Sequence, residues 1–340
     1  MKQKNSMKRE HSKRVCYAER ENVRTKCKLL ILLLIATGLA ACSNDDEVIT
    51  VQERPITVTV SEKPFTAPTS NAAPVRSTRA AITTTETFSA FSIDYVYGSK
   101  PSRGQHTATK TAGTWNVEGS WPFIDTDNKV NWYAHNDGTF NWDDDEGTPY
   151  ISFSVDENAA KQKDLLVATL YASYEDCGGH LNFTFDHATA AIRFYVKKAN
   201  NLSDYTLKVS SVKLSGVVKA GNYYYNTSTW TLGDEKSSYT LYDGTEKTLT
   251  NSDYEALDAT DAPYMFFIPQ KLTEWTPSTA LANTYLELTC VISKGGSNEF
   301  NGTAYIPFRA TLAGGTQYDV KINIGKNSLY NNTGKKIITE

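Results

Sequence analysis

Leu181-Asn182-Phe183-Thr184-Phe185-Asp186-His187, followed after a short break by Ala191-Ile192-Arg193-Phe194-Tyr195-Val196, is the stretch on which the fold turns. Apolar and polar side chains alternate through both runs, which is the period of a strand with one face buried. The pattern spreads outward in both directions. Towards the N-terminus it appears in Phe91-Ser92-Ile93-Asp94-Tyr95-Val96-Tyr97 and Tyr150-Ile151-Ser152-Phe153-Ser154-Val155; towards the C-terminus it recurs at 207–209, 212–214, 285–292 and 318–324. Short strands rich in Tyr, Thr and Val, at roughly ten-residue spacing, predict an all-β chain built of sandwiches. The one helical candidate is the polar stretch near Asp156 to Asp164. A mature chain of about 300 residues exceeds what a single core usually serves, so two sandwich domains are expected, 81–202 and 203–340, divided near Asn200 to Asp204.

The chain ahead of Ala81 has a different texture. Before Leu29 stand ten Lys or Arg and three acidic residues, and Leu29 to Ala41 carries no charge, the pattern of a signal peptide over 1–41. Thirteen residues at about 1.5 Å each reach roughly 20 Å, short of the roughly 30 Å a spanning helix must cross. Ala40-Ala41-Cys42, with Leu39 before it, resembles a bacterial lipobox, which makes Cys42 the lipidated mature N-terminus; an ordinary secretory signal containing a Cys is the other reading. Translation starting at Met1 or at Met7 fits the long basic leader. The acidic run Ser43-Asn44-Asp45-Asp46-Glu47 resembles the surface-export signal of Bacteroidales lipoproteins, or is a plain solvated tether. Residues 42–80 form that tether, and Pro55, Pro64, Pro68 and Pro74 forbid a helix in it. One piece stands out: Ile56-Thr57-Val58-Thr59-Val60 alternates as a half-buried strand does.

Of the whole chain's 35 basic and 38 acidic residues the leader takes ten and three, leaving 25 and 35 and a formal mature charge of −10. Nucleic acid is therefore excluded as a partner. Five cysteines are present, of which Cys177 and Cys290 lie beyond the leader and Cys42; without metal spacing they read as isolated buried thiols.

Four stretches carry a family resemblance. Trp115-Asn116-Val117-Glu118-Gly119-Ser120-Trp121-Pro122 with Val130-Asn131-Trp132-Tyr133-Ala134-His135, then Asp164-Leu165-Leu166-Val167-Ala168, then Phe183 to Ala188 running into Ala191 to Phe194, then Pro263-Tyr264-Met265-Phe266-Phe267-Ile268-Pro269-Gln270, resemble in order the motifs of the fimbrillin family of Bacteroidales. The resemblance implies two transthyretin-like β-sandwich domains in tandem after the signal peptide and tether, and a fimbrial subunit carried on the outer membrane by lipid. It also implies assembly by strand exchange, in which an N-terminal strand is removed by an arginine-specific protease and a neighbour's strand replaces it. Its partners would be other fimbrial subunits, that protease, and a host or bacterial surface ligand. Ile56, Val58 and Val60 are then the inward side chains of the removable strand, and Arg76 or Arg79 the cleavage position; ordinary linker charge is the plain reading of the two arginines. The family's shaft subunits end in an extension that reaches a neighbour, whereas here Lys326 to Glu340 supplies at most one short strand. If it packs on its own domain, a tip, anchor or minor subunit is implied.

Other chemistry is set aside. His187 reads as a hydrogen-bonded bridge inside a core, without a partner cluster in the sequence. Asp143-Asp144-Asp145-Glu146 reads as a solvated loop in preference to a calcium site, and Asp125-Thr126-Asp127-Asn128 lacks the Gly and closing Glu of a calcium loop. No nucleophile elbow, phosphate loop or H-E-x-x-H occurs, so neither an enzyme nor a cofactor is expected. The rival function is a surface glycan-binding lipoprotein, with Trp142, Trp230, Trp275 and Tyr223-Tyr224-Tyr225 as candidate stacking faces.

Overall fold

The computed structural model describes residues 54–68, 88–97, 102–122, 126–257 and 264–339. The expected signal peptide, the candidate lipidation site Cys42 and the two candidate cleavage arginines, Arg76 and Arg79, lie outside them. In chain order the strands are β1 (Thr57–Glu62), β2 (Ala90–Tyr97), β3 (Ser102–Thr111), β4 (Thr114–Glu118), β5 (Val130–His135), β6 (Thr139–Asp143), β7 (Thr148–Ser154), β8 (Leu166–Ala172), β9 (His180–His187), β10 (Ala190–Lys198) and β11 (Tyr205–Val218). They continue with β12 (Ala220–Tyr224), β13 (Thr229–Leu232), β14 (Lys236–Leu249), β15 (Glu255–Ala256), β16 (Met265–Phe267), β17 (Lys271–Leu272), β18 (Tyr285–Lys294), β19 (Ser297–Pro307), β20 (Ala310–Thr311) and β21 (Gln317–Ile324). Among the described residues helix is confined to α1 (Tyr174–Cys177) and three short 3-10 turns. The expected all-β fold is what forms.

Seven strands in the order β1-β9-β8-β5-β2-β3-β4 make one sheet that curls until its ends meet. Pro55, just before β1, bridges Ser120, just after β4, and the Trp121 N–H donates to the Arg54 carbonyl at 2.8 Å. Inside the curl the alternating residues of each strand converge: Phe91 and Ile93 from β2, Trp132 and Ala134 from β5, Leu166 and Ala168 from β8, and Leu181, Phe183 and Phe185 from β9. Trp121 meets Trp132 edge-on there at 4.8 Å. The Trp-Pro stretch thus anchors the seam where the sheet closes.

A second, larger core is enclosed by the antiparallel sheet β14-β11-β18-β19, by β10 with β15, β16 and β21 around it, and by β13-β12-β7-β6. The expected division at 202/203 does not separate the cores. β10, before that point, runs parallel to β21, and β7 pairs with β12, so the second core draws on residues from Ile151 to Ile338. The strand period tells which side chains point inward but not which core receives them.

The helical candidate at 156–164 reduces to a 3-10 turn at Ala159–Lys161, capped by the Asn158 side chain. The helix that forms, α1, opens with Ser173 accepting from the Asp176 N–H and ends at Gly178 with a positive φ of 59°.

Candidate functional site: an N-terminal strand in its groove

β1 runs parallel to β9, with Thr57 opposite His180 and Glu62 opposite Phe185. Parallel neighbours cannot be joined by a tight turn, and β1 reaches β9 from far away in the chain. On its inner face Ile56 and Val58 are buried in the first core, with Val60 packed against it. Burying each of the two contributes about 1.5–3 kcal/mol. On the outer face cross-strand polar pairs follow one another: Thr57 and Thr59 hydroxyls on the two ring nitrogens of His180 at 2.8 and 2.9 Å, Ser61 on Thr184 at 2.9 Å, and Lys63 on Asp186 at 2.7 Å.

The groove that holds β1 is asymmetric. β9 is matched to β1 at six positions, but to β8 only at Leu166–His187 and Val167–Asp186. Without β1, β9 would present most of one edge unpaired and the aromatic residues behind it uncovered, the state that open sheet edges fill by taking up a strand.

Beyond β1 the segment crosses to the second core. Lys63 N–H donates to the Phe185 carbonyl at 2.9 Å; Thr66 then bridges Thr316, donating to Gly315 O and accepting from Gln317 N–H. Phe65 is buried with Ala191 and Tyr264. Residues 54–68 therefore stitch both cores together.

Where the two meet lies a buried ionisable cluster. Nδ1 of His187 is hydrogen-bonded to Asp164, the Thr189 hydroxyl donates to the other oxygen of Asp164, and Oε1 of Glu62 sits 3.0 Å from Nε2 of His187. That last contact lies off the hydrogen-bond axis. The side chains are only 1 % (His187), 2 % (Glu62) and 3 % (Asp164) exposed. Phe65 stacks on the imidazole, ring centroids 3.6 Å apart and 22° from parallel. Burial pushes the Asp164 carboxyl above the usual carboxylate range, the hydrogen bond and charge of His187 pull it back, and the Glu62 charge raises it further. His187 does bridge elements inside a core, as the sequence suggests, but Glu62 is the partner the sequence reading missed. The signal was its phase: it continues the inward series of Ile56, Val58 and Val60.

The remaining candidates sort by burial. Trp275, Tyr223 and Tyr225 are buried, and the Trp230 indole N–H donates to the Ala188 carbonyl at 2.8 Å. Tyr223 and Trp230 line a cleft of about 580 Å³ beside Lys63 and Asp186. Trp142 lies beneath the Arg103 guanidinium, and Tyr224 packs against Tyr150. Asp143 to Glu146 form the β6–β7 turn: one Asp143 oxygen accepts from the Asp145 and Glu146 N–H groups, while Asp144 pairs with Arg103. No cluster with metal-ligand character occurs among the described residues.

The C-terminal tail packs on its own chain. Tyr330 exchanges hydrogen bonds with Tyr305 of edge strand β19 at 2.8 and 3.0 Å, Ile337 N–H donates to the Leu329 carbonyl, and Leu329 and Ile338 are buried in the second core.

Fold and groove together define an all-β protein whose N-terminal strand lies along β9 and buries Ile56 and Val58 in the first core. The family model described as fimbrillin-like matches residues 75–338, so the chain belongs to the fimbrillin-like family, a family of structural fimbrial proteins of the cell surface. That match begins after β1. Solved structures similar to it include a fimbrial protein of Bacteroides vulgatus, 19% identical over 69% of this chain and 88% of that one, with a TM-score of 0.46. A candidate cell adhesion protein of Bacteroides ovatus is 13% identical over 82% and 94%, with a TM-score of 0.44. One of Parabacteroides distasonis is 9% identical over 82% and 90%, with a TM-score of 0.48. No curated relative matches the chain in sequence.

Proposed function

We propose that this chain is a fimbrial subunit exported as an outer-membrane lipoprotein through Cys42, with its acceptor groove filled by its own segment 54–68. Cleavage at Arg76 or Arg79 cuts the connection between β1 and the rest of the fold, and a neighbouring subunit's strand then replaces it. The observation that carries the reading is the position of β1: an edge strand, joined to β2 only through residues 69–87, whose Ile56 and Val58 fill a core they do not otherwise belong to. A strand that can be severed without cutting any sheet, and whose loss uncovers an apolar groove, has the physics of a removable plug. Treating purified mature chain with a trypsin-like protease should convert monomer to polymer. An Arg76→Ala, Arg79→Ala double variant should remain monomeric; polymer at the parent's rate would sink the reading.

The tail favours a particular position in the fibre. With Leu329 and Ile338 already buried and Tyr330 paired to β19, the tail is committed to its own chain. That supports a tip, anchor or minor subunit over a shaft subunit. The glycan-binding alternative draws less support, because protein contacts occupy most of the aromatic faces it would use.

A further inference from the structure

We infer that the groove reads a carboxylate on the strand that fills it: Glu62 of β1, meeting the buried His187–Asp164 pair, fixes the register of docking and selects which strands are accepted. The inference rests on the strand-exchange reading above and adds the chemistry of the partner strand.

Apolar burial alone cannot set this register. Strand side chains alternate with a period of two, so a slip of two residues keeps every apolar residue facing inward. Val58 would take the place of Ile56, and Val60 that of Val58. The ends of the segment resolve the ambiguity. Slipped one way, Pro64 arrives opposite Phe185, bringing neither a carboxylate nor an N–H for the ladder; slipped the other way, Val60 is driven against the imidazole and leaves it facing an apolar side chain. Only the observed register sets an anion at Nε2 of His187 while Phe65 lies over the ring and Thr66 reaches Thr316.

The pair below is built to be met. His187 and Asp164 are both nearly inaccessible, and Nδ1 of the imidazole is already committed to Asp164, so Nε2 is the face turned to the incoming strand. Buried ionic groups contribute little net stability but exclude mismatched partners, because an unmet one is costly. A strand fitting this groove therefore has branched apolar residues at alternate positions, an acid in phase with them at the place of Glu62, and an aromatic residue three further on.

The test uses the intact fold. A recognition site for a sequence-specific protease is placed within residues 69–87, the chain is cut, and synthetic peptides compete for the groove against labelled peptide 54–68. The four competitors are the parent sequence, Glu62→Gln, Glu62→Leu, and a version with the acid moved two residues along. The parent should displace the label. Glu62→Leu and the shifted acid should bind at least tenfold more weakly, as expected when a buried polar group is left unmet, with Glu62→Gln between them. If all four peptides compete equally, selection by the carboxylate is wrong while strand exchange stands. If even the parent peptide never enters the groove, the exchange reading fails and the selection falls with it.

Discussion

Val58 and Glu62 lie on the same face of β1 and do opposite work. Val58 supplies burial, roughly 1.5–3 kcal/mol of it, to any groove of about the right width; Glu62 adds discrimination, because its nearly inaccessible carboxylate meets His187. The two thiols show a similar contrast. Burial pushes the Cys290 thiol up to about 12, while Cys177 is half-buried with its Sγ donating to the Ser173 carbonyl at 3.1 Å. At pH 8 the thiolate of Cys290 is rarer than about one in a thousand, and thiolate is the reactive form. Alkylation of the native chain followed by peptide mass spectrometry should label Cys177 first and Cys290 only after unfolding. The sequence foresaw isolated buried thiols, which holds for Cys290 but only in part for Cys177. At this scale burial was legible where a residue follows the strand period. The Glu62 contact was not, because an acid at a strand end ordinarily faces water, and its partner is more than a hundred positions away.

Among the elements, β1 and the tail both attach at the margins of sheets that other strands make up. Placing a charge in β1 by Val58→Asp would bury an unpaired carboxylate at a cost of at least about 3 kcal/mol. Hydrogen exchange should then show the β1 and β9 amides losing protection while β18 keeps its own. The tail is held by Leu329, which is fully buried, and by Gly334, whose φ of 76° and close approach to Pro277 leave no room for a side chain. Leu329→Ala should lower stability by about 2–5 kcal/mol, as core truncations do, measured by thermal or denaturant unfolding. A fall below about 0.5 kcal/mol would mean the tail is not a working part of the core. Strands were readable because a period of two survives in any sandwich. The short helix α1 was also written in the sequence, as Ser173 ahead of Glu175 and Asp176 with Gly178-Gly179 behind, but a single turn gives no periodicity to notice.

For the molecule as a whole, residues 54–68 run from the closing seam of the first core to the edge of β21 in the second. A chain beginning after residue 68 should expose an apolar groove, bind a hydrophobic dye strongly and self-associate. Peptide 54–68 added in trans should suppress both effects. Unchanged dye binding and a monodisperse monomer would show that the fold closes without the segment. The fold class could be read from the sequence; the arrangement of strands could not. β10 looks like a continuation of β9, yet it leaves the first core and lies beside β21, since the alternation of Phe194 and Val196 is indistinguishable from that of Phe183 and Phe185. Long-range pairing, not local pattern, decides where one core ends and the next begins.

The sense of β1 carries a consequence for any fibre made by exchange. Because β1 lies parallel to β9, a replacement seated in the same register must thread the groove in one direction only, so donor and acceptor surfaces differ and each junction repeats the last without a two-fold axis. Growth by such junctions is vectorial: the finished filament has distinguishable ends, one offering a vacant slot and the other a spare strand, and a subunit whose own tail is folded away can terminate it at one end alone.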